Sequence, residues 1–376
     1  MIITEKILFK KLNNAKKVLL VEPPYIKKYP PLGLAKIKSY LVQRGVEVHF
    51  SDHILPEKYD LICITTLFTY YSRQVFDVIR NRGFFNPTTP IIVGGIFASI
   101  MPEVFKQKHT FVFVGYSKKL ELMMPDKSIM NGALDDFWNS FSYIFTSRGC
   151  PNKCPYCVVW RIEPNAWINK KWKTLLDLEK PNIMVSDNNL SSFNIEHFND
   201  VTNFLAKSKK KVLFNNGFDC KHITEDIAKK LSKIKFMPGG MRLAFDRLKE
   251  DGKFQKALEL ILKYKIPKHN ILIFVLFNFN DRPQDAYYRA RVCADYNVRP
   301  YPQYYRPLKT LNKKEIFVGK HWTLNLGRAF RYYWLMRGIY AKMTFQEYIE
   351  SDVGIERHYL IETDIKMYNN NGRKTK

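Results

Sequence analysis

The chain has 376 residues, 46% of them hydrophobic, enough for two or three domains with cores of their own. No apolar run approaches the roughly 18 to 20 residues that a bilayer-spanning helix needs, so no membrane role is expected. A formal charge of +26, from 61 Lys and Arg against 35 Asp and Glu, would attract nucleic acid or another polyanion at long range. A coding sequence rich in A and T yields the same lysine excess without any binding. The charges are scattered with no arginine-rich tract, so both origins stay open. The start of the chain, from Met1 to Lys11, lacks a signal-peptide layout, and six cysteines are sparse for a disulfide framework. A reducing, cytoplasmic compartment is expected.

Residues 1–140 read as one α/β domain. Lys17–Val21 is an apolar run of the buried parallel kind, stopped by Pro23 and Pro24, and a helix follows over 32–44. Further strands are expected at 46–50, 61–65, 90–93 and 111–114, with a helix over 72–82. Strands alternating with helices predict a doubly wound parallel sheet, which binds ligands beyond the carboxyl ends of its strands. Gly94 and Gly95, directly after a strand, suit either close approach to a ligand or a tight strand-to-helix turn. No G-x-G-x-x-G follows the first strand, so a nicotinamide or flavin nucleotide site is not expected.

Over 141–306 the pattern is again strand then helix. Strands are expected at 142–146, 182–186, 211–215, 241–245, 271–277 and 299–304, with helices at 195–206, 224–232, 254–264 and 284–296. Six such units match a partial (β/α)6 barrel, whose chemistry sits at the carboxyl ends of the strands. Polar residues stand there. Asp187 and Asn189 follow the second strand, Asn215 and Asn216 the third, Asp246 and Arg247 the fourth, and Asn278 and Asp281 the fifth; Tyr301, Gln303, Tyr304 and Arg306 belong to the sixth. Asp187 and Asn189 suit either a ligand amino group or the cap of a helix starting near Phe193. The carboxamides of Asn215 and Asn216 suit a ribose or a substrate.

Residues 307–376 read as a helical extension. Trp322, Phe330, Tyr332, Tyr333, Trp334, Tyr340, Phe345 and Tyr348 make it the most aromatic stretch, with Arg328, Arg331 and Arg337 interleaved. Such a set either packs onto the barrel or stacks the bases of a single-stranded nucleic acid. The last residues, 371–376, read as a disordered basic tail.

The most specific feature is the stretch from Thr146 to Cys157, which places Cys150, Cys154 and Cys157 in a C-x-x-x-C-x-x-C loop. Three thiolates so spaced can ligate three irons of a 4Fe-4S cube and leave the fourth iron open. Zinc would want a fourth Cys or His at a workable distance, or two close pairs, and neither is visible. Cys63, Cys220 and Cys293 each stand alone in apolar or strand-like runs, where a free cysteine behaves as a small hydrophobe.

The loop, with Arg148-Gly149 before it and Pro155-Tyr156 inside it, resembles the signature of the radical S-adenosylmethionine (radical SAM) enzymes. That resemblance implies a 4Fe-4S cluster on Cys150, Cys154 and Cys157, with Tyr156 beside it, and SAM chelated at the open iron. It implies that an electron from a reductant such as flavodoxin or ferredoxin cleaves SAM, and that the 5′-deoxyadenosyl radical abstracts a hydrogen from an unactivated carbon. It also implies that Asp187 and Asn189 meet the SAM amino group, that Asn215 and Asn216 hold a ribose or substrate, and that the loop at Asn278 packs the adenine.

A second resemblance lies in the first domain. Pro30-Pro31-Leu32-Gly33-Leu34, the segment from Arg44 to Val48, and Val93-Gly94-Gly95 with Ala98-Ser99 are similar to the cobalamin-binding domain found ahead of many radical SAM domains. This implies cobalamin near Gly94, Gly95 and Ser99, and methylation of a carbon or phosphorus centre with a second SAM as methyl source. Two features depart from that family. Asp52 and His53 are adjacent, so the Asp-x-His-x-x-Gly motif is absent, and Gly115-Tyr116-Ser117-Lys118-Lys119 replaces an acidic Gly-Glu-Gly-Glu turn. A domain that keeps the fold without the cofactor is the alternative. Three readings stay open: a cobalamin-dependent radical SAM methyltransferase, a cobalamin-free radical SAM enzyme acting on a nucleic acid or other substrate, and an iron-sulfur protein for electron transfer or structure.

Overall fold

The computed structural model describes residues 1–26, 29–131, 135–340 and 342–370; the basic tail at 371–376 lies outside them. The chain divides into two compact units, Met1–Pro181 with Leu308–Glu315, and Asn182–Pro307 with Ile316–Lys376. The expected boundary at residue 140 falls inside the first.

The first unit runs β1 (Ile2–Ile3), α1 (Glu5–Asn14), β2 (Lys17–Val21), α2 (Leu32–Val42), β3 (Glu47–Ser51), β4 (Leu61–Thr66), α3 (Ser72–Phe85), β5 (Ile91–Gly95), α4 (Ile96–Ile100) and β6 (Thr110–Phe113). It continues through α5 (Lys127–Asn131), α6 (Asp136–Asn139), β7 (Phe141–Ile144), β8 (Ser147–Arg148), α7 (Val159–Ile162) and β9 (Trp167–Ile168). Six strands form one parallel sheet in the order β1-β6-β5-β4-β2-β3. The order reverses between β2 and β4, which is where an open α/β sheet leaves a crevice.

Val18, Leu19, Leu20 and Val21 are all fully buried, because both faces of this central strand are covered. On one face, Leu19, Ile62, Ile64 and Val93 pack with Val75, Val78 and Ile79 of α3 and with Phe97 of α4. Each such side chain contributes about 1.5–3 kcal/mol by leaving water.

The N-terminal pair β1 and α1 adds an element not expected from the sequence. Ile2 and Ile3 pair in parallel with Val112 and Phe113, and Thr4 caps α1 by accepting a hydrogen bond from the Ile7 N–H. Leu8, Phe9 and Leu12 then bury one face of that helix.

The second unit runs β10 (Asn182–Val185), α8 (Ile195–Ser208), β11 (Lys211–Phe214), β12 (Phe218–Asp219), α9 (Glu225–Leu231), β13 (Met241–Ala244), α10 (Lys253–Lys263), β14 (Ile271–Phe277), α11 (Pro283–Asp295) and β15 (Arg299–Tyr304). Helices α12 (Leu324–Leu335), α13 (Phe345–Glu350), α14 (Asp352–His358) and α15 (Glu362–Asn370) complete it. β10 pairs in parallel with β11, and β12, β13, β14 and β15 form a parallel ribbon in that order. β12 was not expected; it takes the place beside β13.

The aromatic extension is core. Trp322, Phe330, Tyr333, Trp334, Phe345 and Tyr348 are buried, and the Phe277 ring of β14 lies 5.2 Å from Trp322 and 4.9 Å from Phe330. These six rings are therefore closed to base stacking, while Arg328 and Arg331 point to solvent. Among the described residues no helix is long and apolar enough to cross a membrane.

Candidate functional site

The cysteine loop leaves and rejoins the first unit through a short antiparallel ribbon. Ser147 of β8 pairs with Ile168 of β9, and Arg148 with Trp167, so residues 149–166 form an excursion tied at its base. Gly149 starts it with φ +86°, and a Cβ there would stand 2.9 Å from the Asn165 carbonyl oxygen. Only glycine meets both conditions without strain. Within the excursion, the Cys157 N–H donates to the Cys154 carbonyl at 3.1 Å, closing a tight turn around Pro155 and Tyr156. The α7 helix then reaches back, as the Trp160 indole N–H donates to the Cys154 carbonyl at 3.0 Å.

Cys150, Cys154 and Cys157 are all half-buried, unlike Cys63, Cys220 and Cys293. Burial pushes the Cys63 and Cys220 thiols up to about 12 and raises Cys293 as well. Thiols held protonated in apolar surroundings are poor ligands and nucleophiles, which matches their expected role as small core residues. The three loop cysteines are less buried than these. Three soft sulfur donors on one tied loop, within reach of solvent, are a donor set that fits an iron-sulfur cluster.

Behind the loop runs a buried chain of charges. The Arg148 guanidinium donates to Glu163 at 3.0 Å and to Glu121 at 2.8 Å, and the Lys36 ammonium pairs with Glu121 at 3.0 Å. The second Glu163 oxygen accepts from the Gly149 N–H at 2.9 Å. The Arg148 guanidinium carbon also lies over the Phe145 ring, 3.4 Å from its centroid.

Lys36, Arg148, Glu121 and Glu163 sum to zero charge, the arrangement a desolvated interior requires. Burial opposes the Glu121 charge, but Arg148 and Lys36 outweigh it and hold the carboxyl below its usual range; burial lowers Lys36, while the two carboxylates raise Arg148 against burial. Nothing in the sequence pattern links positions 36, 121, 148 and 163. Pairing of charges along the chain carries no signal for it.

The same unit holds a cavity of about 230 Å³, bounded by the carboxyl-terminal halves of β4, β5 and β6 and by α1 and α2. Gly94, Gly95 and Ser99 all line it, together with Gly115, Arg148 and Glu163. Gly95 has φ +100°, and a Cβ there would lie 2.3 Å from the Thr66 carbonyl oxygen, so the close approach it permits is to β4. The Thr66 hydroxyl donates to the Gly94 carbonyl and accepts from the Ala98 N–H, and the Ser99 hydroxyl accepts from the Gly115 N–H at 2.9 Å.

Glu5 of α1 meets the turn after Gly115, accepting from the Ser117 hydroxyl and from the Lys119 N–H. For cobalamin the fit is partial. The cavity is smaller than the roughly 300–1,000 Å³ of pockets for drug-sized ligands. No histidine lines it, and the exposed His53 hydrogen-bonds Asp52.

In the second unit, the polar strand ends are partly committed to the backbone. The Asn216 amide donates to the Ser186 and Asp187 carbonyls at 3.0 and 3.1 Å, joining the ends of β10 and β11. Asn215 accepts from the Arg242 guanidinium through its carbonyl at 2.6 Å. Asp187 and Asn189 are buried, and the Asn189 carboxamide accepts from the Ser191 hydroxyl. Neither caps α8; Asn194 does, accepting from the His197 N–H at 2.9 Å. Asn278 is fully buried with φ +65°, and its amide donates to the Phe317 carbonyl and accepts from the Gly319 N–H. It acts as a clamp on 317–319.

Among the described residues, one set of three Cys, His, Asp or Glu side chains has its ligand atoms all within 4.8 Å of one another: Glu47, His49 and Glu57. The Lys17 ammonium already pairs with Glu47 and Glu57 at 2.9 and 2.6 Å. No protein-family model matches the sequence, and no curated protein matches it.

Proposed function

We propose that the protein is a radical SAM enzyme. The observation that carries this reading is the tied loop with three half-buried cysteines, kept apart in environment from the three core cysteines. Cys150, Cys154 and Cys157 would hold the cluster. When bound, a 4Fe-4S cluster with an open iron supplies one-electron reductive cleavage of SAM.

The work of the chain itself is positional. Gly149 gives the left-handed turn that starts the loop, the ribbon β8–β9 closes it, and Arg148 anchors it to the buried charges. Parallel strands β10 and β11 and the parallel ribbon β12 to β15, with α8, α9, α10 and α11 between them, support the partial-barrel expectation over 141–306. Asp187 and Asn189 at the end of β10 remain the candidates for the SAM amino group.

A cobalamin-dependent methyltransferase is the second reading, favoured by the cavity that Gly94, Gly95 and Ser99 line. Incubation with hydroxocobalamin followed by desalting tests it: a retained corrinoid absorbance supports that reading, and its complete loss removes it.

The test of the main proposal is chemical. Protein reconstituted anaerobically with iron and sulfide, then given dithionite and SAM, is expected to form 5′-deoxyadenosine, with Cys154→Ala reducing the yield to background. An iron-loaded protein that forms none belongs instead with electron-transfer or structural iron-sulfur proteins.

A further inference from the structure

The α7 helix follows the last cysteine almost at once, and both of its polar reaches go back to the loop. Trp160 donates to the carbonyl of Cys154, the central cysteine. Glu163, the residue at its carboxyl end, accepts from the N–H of Gly149, the residue before Cys150. The helix is itself held from behind. Gly115 has φ +81°, and a Cβ there would stand 2.7 Å from the Ile162 carbonyl oxygen, so the turn after β6 lies directly against the α7 backbone. Ser99 fixes that turn through the Gly115 N–H.

We propose that Glu163 and Trp160 are positioning residues for the cysteine loop, and that the Glu163 carboxylate also sets the electrostatic environment of whatever metal group the loop holds. This rests on the iron-sulfur reading above. Two points of the loop are fixed by hydrogen bonds to backbone: its entry at Gly149 and its middle at Cys154. Neither bond engages a sulfur, so both leave the thiolates available while limiting where the chain between them can go. Preorganised support of this kind keeps a metal site from loosening.

The two residues differ in one testable way. Trp160 contributes a neutral donor, whereas Glu163 contributes a negative charge within the Arg148 network. Loss of a negative charge beside a redox centre favours its reduced, more negative state, which moves the midpoint potential upward.

The experiment compares wild type, Glu163→Gln and Trp160→Phe after anaerobic reconstitution. Three readings are taken: iron per chain, the rate of bleaching by a chelator, and the midpoint potential by redox-poised EPR. Both variants are expected to lose iron several-fold faster than wild type, and only Glu163→Gln is expected to shift the potential to a more positive value. Variants that release iron at the wild-type rate with an unchanged potential overturn the proposal. Faster release from both with no potential shift overturns the electrostatic part and leaves a mechanical clip. A wild-type protein that takes up no iron fails at the underlying reading, a result distinct from either. Where Glu163→Gln does not fold, judged by circular dichroism, Trp160→Phe decides the positioning claim by its release rate.

Discussion

Arg148, two residues before the first loop cysteine, meets the buried Glu121 at 2.8 Å, and the buried Lys36 closes on the same Glu121 oxygen at 3.0 Å. Removing one member of such a set leaves an unbalanced charge away from water. Glu121→Leu is expected to cost about 3–5 kcal/mol in urea unfolding. Lys36→Met added to it restores neutrality, since Arg148 keeps Glu163. The double variant is therefore expected to be more stable than Glu121→Leu alone, and purely additive losses would contradict the network.

Glycine supplies a second prediction by contrast. Gly95 combines φ +100° with a Cβ position 2.3 Å from the Thr66 carbonyl oxygen, whereas Gly83 lies inside α3 with nothing within 4 Å. Gly95→Ala is expected to destabilise by more than about 1–3 kcal/mol, because strain and clash add. Gly83→Ala is expected to stabilise by about 0.5–1 kcal/mol through helix propensity. Thermal unfolding of the two variants checks both signs.

The C-terminal helices carry an acid-sensitive group. His358 is buried on α14, within 2.9 Å of the Tyr348 hydroxyl, and burial with the nearby Arg357 and Arg328 charges pushes its pKa from 6.5 down to about 4. The unfolded chain then binds the extra proton first. Stability from this group is full above about pH 6.5 and is lost as pH falls toward about 4. His358→Phe is expected to flatten the unfolding free energy across that window. A wild-type slope in the variant would assign the acid sensitivity to other groups.

Packing of the aromatic extension gives a fourth. Phe330 is fully buried and touches the rings of Phe277, Trp322 and Phe345. Phe330→Ala is expected to cost about 3–5 kcal/mol. Arg328→Ala and Arg331→Ala, at exposed positions, are expected to stay within about 0.5 kcal/mol. Denaturant midpoints distinguish the two groups.

Much of the fold was legible because its central strands are apolar runs bounded by prolines and glycines. Lys17–Val21 and Ile271–Phe277 stand where the sequence placed them. The Thr4 cap and the Leu8, Phe9, Leu12 spacing of α1 were equally readable, but the two-residue β1 shows no period and gave no reason to look there. Gly94 and Gly95 had two readings, and the packing against Thr66 gives the turn a cause of its own while the cavity keeps the other alive.

The roles of Asn216 and Asn278 as backbone clamps were hidden, because a carboxamide after a strand looks the same whether it faces a ligand or a carbonyl. Glu121, Lys36 and Glu163 were hidden for a different reason. Their partnership depends on folded proximity, with no spacing along the chain to announce it.

The central claim is that the loop of Cys150, Cys154 and Cys157 holds a cluster with an iron open to SAM. EPR of the dithionite-reduced, reconstituted protein, recorded with and without SAM, tests this directly. A signal from protein holding about four irons per chain that changes its g-values and line shape on adding SAM is the predicted result. The same iron content with a spectrum unaltered by saturating SAM would contradict it.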